Sequence, residues 1–153
     1  MRVVIQRVTQ ASVSIDGESV AAIGPGVLLL VGIGAKDRAE TVRKMAAKCV
    51  EMRLFEGDDG RFDKDLLQAG GDALVVSQFT LIADVRKGRR PSFTEAAAGE
   101  EAEPLIAMFA EELRARGVRV GTGRFGAHMR VSLENDGPVT IVVDSDDLDR
   151  PRR

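Results

Sequence analysis

Two short segments hold the side chains of this chain best suited to chemistry. Ser77-Gln78-Phe79-Thr80-Leu81 places two hydroxyls and a carboxamide within four positions. Farther along, Asn135-Asp136-Gly137-Pro138-Val139-Thr140 sets an amide, a carboxylate and an X-Pro peptide side by side. At a strand end, the hydroxyls of Ser77 and Thr80, the Gln78 amide and nearby backbone N–H groups could form a polar pocket. Donors fixed there stabilise an oxyanion during acyl transfer. Thr80 would serve as a nucleophile only beside an activating base, and the sequence puts none next to it. The plain alternative is a strand end whose polar residues face water. Asn, Asp, Gly and Pro are turn formers, so the second segment, by composition alone, predicts an ordinary turn between two strands.

Other candidates are weaker. A Ser-His-Asp or Cys-His arrangement needs a histidine, and the chain has one, His128, at a polar position of a strand-like alternation that predicts exposure. Cys49 falls on the apolar face of a predicted helix, where a free thiol behaves as a small hydrophobe. No His, Cys, Asp and Glu spacing matches zinc, so no metal and no cofactor are implied. Gly32-Ile33-Gly34 follows a strand but lacks the third glycine of a dinucleotide fingerprint. Arg86-Lys87-Gly88-Arg89-Arg90 packs four cations into five residues. It reads either as a solvated loop or as a phosphate-binding patch built on Arg86, Lys87, Arg89 and Arg90.

The elements that must position these groups follow from periodicity. Ala11, Val13 and Ile15 alternate with polar residues, as in a half-buried strand. Val4 and Val8 fall on the other parity, which predicts a bulge near Thr9-Gln10. Asp16-Gly17 signals a hairpin, Ser19 to Ile23 returns, and Val27 to Val31 reads as a strand buried on both faces. Val42, Met45, Ala46 and Cys49 share a helical face over about Arg38 to Arg53, with Asp37 as its predicted N-cap. Ala73 to Leu81 reads as a strand. Leu105, Phe109 and Leu113 stripe a second helix from about Glu100 to Arg116, with acids early, arginines late and Gly117 as the stop. Val118, Met129, Val131, Leu133, Ile141 and Val143 mark further strands. The charged segment from Asp144 to Arg153 predicts a frayed tail. No repeat or linker divides the chain. The pattern predicts one α+β domain over residues 1–153, with a mostly antiparallel, barrel-like sheet and two main helices.

Composition narrows the function classes. A chain of 153 residues fits one domain with a substantial core. With six Phe and neither Trp nor Tyr, RNA binding through rows of stacked aromatics is poorly supplied. A net charge of −2 means that any nucleic-acid contact depends on local clustering. One cysteine excludes an intramolecular disulfide and suits a reducing compartment. No apolar run approaches membrane-spanning length, and the N-terminus lacks a signal-peptide core. A soluble, cytoplasmic protein is expected, with no membrane partner.

The chain resembles the D-aminoacyl-tRNA deacylases over about Met1 to Asp144. The resemblance is carried by Met1-Arg2-Val3-Val4-Ile5-Gln6-Arg7-Val8, by Gly88-Arg89-Arg90-Pro91-Ser92-Phe93, by Gly121-Thr122-Gly123-Arg124-Phe125-Gly126-Ala127 and by the two opening segments. It implies a homodimer with its active sites at the interface, acting on the 3′-terminal adenosine and acceptor stem of aminoacyl-tRNA. Gly137 and Pro138 would form a cis peptide that enters the partner's pocket. Carbonyls held there would exclude an L side chain and leave D-aminoacyl and glycyl groups accepted, a clash built against the wrong substrate. Ser77, Gln78 and Thr80 would supply the catalytic surface. Phe79, Ala127 and Met129 would line the substrate pocket, and the loop from Arg86 to Arg90 would approach the tRNA. The resemblance also implies catalysis assisted by the ribose 2′-OH, with Thr80 as nucleophile the competing view. His128 stands where many members have an acid. Two rival classes remain: an RNA-end-binding module without catalysis, and a small-ester hydrolase using Thr80.

Overall fold

The structure is a computed structural model describing residues 1–152. Its spine is one long strand, β1 (Arg2–Ile15). The Asp16-Gly17 turn returns the chain as β2 (Glu18–Ile23), and β3 (Gly26–Gly32) follows. Both pair antiparallel with the same side of β1, β3 along Arg2 to Val8 and β2 along Ala11 to Ile15. The other side of β1 is taken by β8 (Arg130–Asp144), antiparallel from Arg2↔Asp144 to Ser14↔Arg130. Two parallel pairings extend the sheet: β6 (Asp72–Ser77) on β3, and β7 (Val120–Thr122) on β6. The result is a nearly closed, barrel-like sheet in an α+β fold, with antiparallel pairings in the majority. A small ribbon of β4 (Phe55–Glu56) and β5 (Phe62–Lys64) stands apart.

Alternation along β3 and β6 divides the interior in two. Val27, Leu29, Val31, Ala73 and Val75 face helices α1 (Ala39–Glu51) and α2 (Gly99–Ala115), meeting Val42, Met45, Phe109 and Leu113. Leu28, Leu74 and Val76 face the other way and pack against Val8, Ala11, Val13 and Ile23. This is why β3 reads as continuously apolar: each face belongs to a different core. No helix among the described residues is long and apolar enough to cross a membrane.

Four local readings change. The strand expected to run to Leu81 ends at Ser77, and Phe79–Ile82 is a turn of 3₁₀ helix. Its first bond, from Leu81 N–H to the Gln78 carbonyl, measures 3.2 Å. Asp37 is not the cap of α1; Arg38 holds that position. The Asp37 carboxylate instead accepts from Gly34 N–H at 2.6 Å and pairs with the Met1 ammonium at 2.6 Å. Asp144 caps a further turn, α3 (Ser145–Leu148), in the segment expected to fray. Leu148 packs on the helix-side core, and Lys44 pairs with Asp149 at 2.5 Å. Arg153 lies outside the described residues.

The fourth change concerns Gly137-Pro138. No hairpin forms there, because β8 stays beside β1 on both flanks of it. Thr140 pairs with Gln6 and Asn135 with Val8, so Asp136 to Val139 are an outward excursion opposite the single residue Arg7. The bulge predicted near Thr9-Gln10 is the β1 side of this irregularity, where inward Arg7 and Val8 give way to exposed Thr9 and Gln10.

Candidate active site

A cavity of about 500 Å³ opens at the C-terminal ends of the parallel pair β3 and β6. Main-chain pairing delivers its floor. Gln78 N–H donates to the Val31 carbonyl at 2.8 Å, continuing the β3–β6 ladder one residue past Ser77. Ser77, Gln78 and Phe79 therefore stand on the rim, where the ladder gives way to the 3₁₀ turn. The opposite wall is the segment before β8, with Phe125, Ala127, His128 and Met129. Met129 reaches inward because residue 123 has no side chain: a Cβ there would lie 2.6 Å from the Met129 sulfur. The third wall is the start of α2, with Ala97, Ala102 and Ile106. It is held by Ala97 N–H donating to the Ile33 carbonyl at 3.0 Å.

Of the predicted residues, Ser77, Gln78, Phe79, Ala127 and Met129 all line this one cavity. Phe79 is no core residue: it is 57% exposed. The Phe93 ring braces it edge-on, with centroids 5.0 Å apart and planes at 72°. A flat apolar face held open in this way can receive a planar ligand. Thr80 is exposed and does not line the cavity. Its hydroxyl accepts from the Gln78 amide, which fixes Gln78, and no Asp, Glu, His or Lys side chain accepts from it among the described residues. His128 is exposed and is the one titratable side chain on the wall among the described residues.

Gly137 and Pro138 do not line this chain's own cavity. Their peptide is cis, and Asp136, Gly137 and Pro138 are exposed, whereas Val139 is buried. Arg7, which sequence reasoning passed over, and Asn135 hold the excursion. Arg7, 6% exposed, donates from Nε to the Asp136 carbonyl at 3.1 Å and from Nη1 to the Leu54 carbonyl at 2.8 Å. Its guanidinium also lies 3.3 Å from the Asp136 carboxylate, 3.9 Å from Glu56 and 5.7 Å above the Phe62 ring centre. Asn135 Nδ2 donates at 3.0 Å to both the Arg7 and the Val139 carbonyls, closing the base of the excursion. A signal for Arg7 did exist, since it shares parity with inward Val3 and Ile5.

The basic loop is built rather than loose. Asp84 and Ser92 exchange both backbone hydrogen bonds, at 2.8 and 2.9 Å, and close the loop between them. Arg86 is already engaged: Nε and Nη2 grip the Asp84 carboxylate at 2.9 and 2.7 Å. That grip lowers the Asp84 carboxyl to about 2, so the pair is ionised at any physiological pH. Lys87, Arg89 and Arg90 are exposed and make no ion pair with a described residue. No group of three or more His, Cys, Asp or Glu among the described residues could hold a metal ion.

Comparison with known proteins fits this geometry. The family model for D-Tyr-tRNA(Tyr) deacylase matches residues 4–144. A D-aminoacyl-tRNA deacylase of Roseiflexus sp. (strain RS-1) is 57% identical over 99% of this chain and 98% of its own length. That of Thermomicrobium roseum is 60% identical over 97% and 96%. Among solved structures, the c-Myc DNA Unwinding Element Binding Protein superposes with a TM-score of 0.89 at 40% identity, covering 94% of this chain and 98% of that one. A probable eukaryotic D-amino acid tRNA deacylase shares the fold at a TM-score of 0.82 and 22% identity, over 93% and 97%. A matched family model across nearly the whole chain, and relatives this similar along their full length, make the chain a member of the D-Tyr-tRNA(Tyr) deacylase family, an enzyme of the class that hydrolyses D-aminoacyl-tRNA.

Proposed function

We propose that this chain performs chiral proofreading in translation quality control in the cytoplasm. It removes D-aminoacyl groups, and glycine mischarged on tRNA(Ala), while sparing L-aminoacyl-tRNA. The observation that carries the reading is the separation of the two motifs. Ser77, Gln78, Phe79, Ala127 and Met129 share a cavity, whereas Gly137-Pro138 stands outside it on a clamped excursion. In a homodimer, each excursion enters the partner's cavity and completes it.

The terminal adenosine lies against Phe79, and the aminoacyl ester sits beneath the Gly137-Pro138 carbonyls. Those carbonyls occupy the space that an L side chain needs. A D side chain points outward, and glycine has none. Water adds to the ester carbonyl, the bond to the ribose oxygen breaks, and a free amino acid and a tRNA 3′-hydroxyl form. Ser77 and Gln78, with backbone N–H groups at the strand end, stabilise the developing oxyanion. The vicinal ribose 2′-OH assists the attack, and no protein nucleophile is used. Thr80 positions Gln78 through its hydroxyl, consistent with its lack of a base. Lys87, Arg89 and Arg90 meet the acceptor stem.

The test is deacylation of D- and L-tyrosyl-tRNA side by side, with wild type and Thr80→Ala, and with a 2′-deoxy terminal adenosine. Fast loss of the D ester alone, retained largely by Thr80→Ala and lost with the 2′-deoxy substrate, is expected. Equal loss of both esters sinks the chiral reading. A Thr80→Ala defect as deep as a triad knockout, roughly 10⁴-fold or more, sinks substrate assistance.

A further inference from the structure

Arg7 and Asp37 are the two buried charged side chains among the described residues. Arg7 serves the excursion, whereas the mechanism above leaves Asp37 unused. One oxygen of its carboxylate, Oδ2, accepts from Gly34 N–H at 2.6 Å and pairs with the Met1 ammonium at 2.6 Å. The same ammonium donates to Ser145 Oγ at 2.9 Å, and Ser145 N–H returns a bond to the Met1 carbonyl at 2.9 Å. The Met1 side chain packs in the helix-side core. Gly34 is the middle of a strip that holds the third wall of the cavity. It bridges Ala96. On either side of it, Ala97 N–H donates to the Ile33 carbonyl at 3.0 Å and Ala35 N–H to the Glu95 carbonyl at 2.8 Å. Ile33 and Ala97 both line the cavity. Contacts therefore run without a break from the Met1 nitrogen, through Asp37 and Gly34, to the cavity lining.

We propose that the Met1 ammonium and Asp37 work as one positioning unit for this wall, which makes the Met1 nitrogen a modification-sensitive site: an acyl group there, formyl or acetyl, weakens substrate binding in the cavity. This rests on the deacylase reading above, because it takes the cavity as the seat of the terminal nucleoside and its ester. The chemistry follows from donors and charge. An ammonium has three N–H donors and can serve Asp37 and Ser145 together. Acylation turns it into an amide with one N–H and no charge. It can then serve only one of the two, and the Asp37 carboxylate is left buried without its counter-charge. Stranding a buried charge in this way is strongly unfavourable, and the carboxylate relieves it by turning toward water. That turn takes the acceptor from Gly34 N–H, and the bridge to Ala96 loses its support. A formyl group on Met1 must therefore be hydrolysed, releasing formate and freeing the ammonium, before the wall settles.

The experiment measures hydrolysis of D-tyrosyl-tRNA by four forms of the full chain: wild type and Asp37→Asn, each with free and with N-formylated Met1. The formylated forms are made with peptide deformylase inhibited and are verified by intact mass. Asp37→Asn keeps an acceptor for Gly34 N–H and drops the charge. Formylated wild type is expected to raise KM roughly 5- to 20-fold, with kcat changed less, and to lower Tm by roughly 5–15 °C. Free Asp37→Asn raises KM in the same direction. The two changes are coupled: formylating Asp37→Asn raises KM by less than about 2-fold more, because no carboxylate remains to be stranded. A formyl group that merely disturbs folding lowers Tm in both backgrounds alike and leaves KM at the wild-type value below the transition, which overturns the inference. Formyl and Asp37→Asn effects on KM that simply multiply overturn the single unit. Where formylated wild type does not fold, free Asp37→Asn decides alone, and a wild-type KM in it overturns the inference. In each of these outcomes wild type still cleaves the D ester, so the deacylase reading stands. A wild type inert toward every D ester overturns both.

Discussion

Replacing Arg7 by methionine tests whether the Gly137-Pro138 excursion is held from below. Methionine keeps much of the buried length and removes the guanidinium. The two ion-pair partners count for little, since Glu56 and Asp136 are 58% and 50% exposed; each contributes at most about 1 kcal/mol. The carbonyl bonds matter more, because a hydrogen bond from a charged donor contributes about 1.5–3 kcal/mol. The Leu54 bond is buried and takes that value in full, whereas the Asp136 bond lies on an exposed excursion and takes a fraction of it. The predicted cost is about 2–4 kcal/mol. At about 2–4 °C per kcal/mol for a chain of this size, Tm falls by roughly 5–15 °C. Thermal denaturation followed by circular dichroism gives the first number. Paired D- and L-tyrosyl-tRNA assays give the second: the ratio of D to L rates drops more than the D rate itself, because the excursion loosens while Ser77 and Gln78 stay in place. A Tm within about 1 °C of wild type would refute the energetic argument. A lowered Tm with an unchanged D-to-L ratio would refute the link between clamp and selectivity.

Gly137→Ala places a side chain at φ +132°, with its Cβ 2.7 Å from Val139 Cγ2 and 3.3 Å from Arg7 Nη2. It is expected to cost about 1–3 kcal/mol and to erode L-rejection more than Thr80→Ala does, measured by the same paired assay. Burial pushes the Cys49 thiol up to about 12 from its ordinary 9.0. Its contribution to stability is therefore complete below pH 9 and is lost as pH rises toward 12. Native protein at pH 8 should resist thiol reagents until denatured, and stoichiometric labelling of the folded state would contradict this. Because Asp84 already neutralises Arg86, Arg86→Gln should change the salt dependence of tRNA binding less than Arg89→Gln with Arg90→Gln; equal effects would show that the Asp84 grip opens on binding.

Periodicity made the helices and the two-faced β3 legible, because each needs only a local repeat of apolar residues. The site was legible in parts for the same reason. Ser77 and Gln78 follow a visible strand, and Met129 continues a visible alternation. What remained hidden depends on distant pairing. Nothing near Gly137 in the sequence says that Gln6 and Val8 flank it across β1, so a four-residue excursion looked like a turn. Ser77 ends its strand because β3 stops offering ladder partners beyond Val31, which propensity does not register. Asp37 looked like a cap until the N-terminal ammonium, brought to it by the fold, claimed its carboxylate. The inward parity of Arg7 was visible. Its use was not, since the carbonyls it serves come from Leu54 and Asp136.

The small β4–β5 ribbon has a consequence beyond its size. Arg7 grips the excursion with one edge of its guanidinium and the Leu54 carbonyl, at the threshold of the ribbon, with the other, while Phe62 on β5 lies against its face. The ribbon is thus a strut, and the height of the excursion above the sheet is set by the ribbon's footing as much as by the strand that carries it. Lengthening the Gly57 to Gly60 turn, which does not line the cavity, would move that footing. If the excursion sets chiral selectivity as proposed, the accuracy with which mirror-image substrates are told apart would then answer to a hairpin on another part of the molecule.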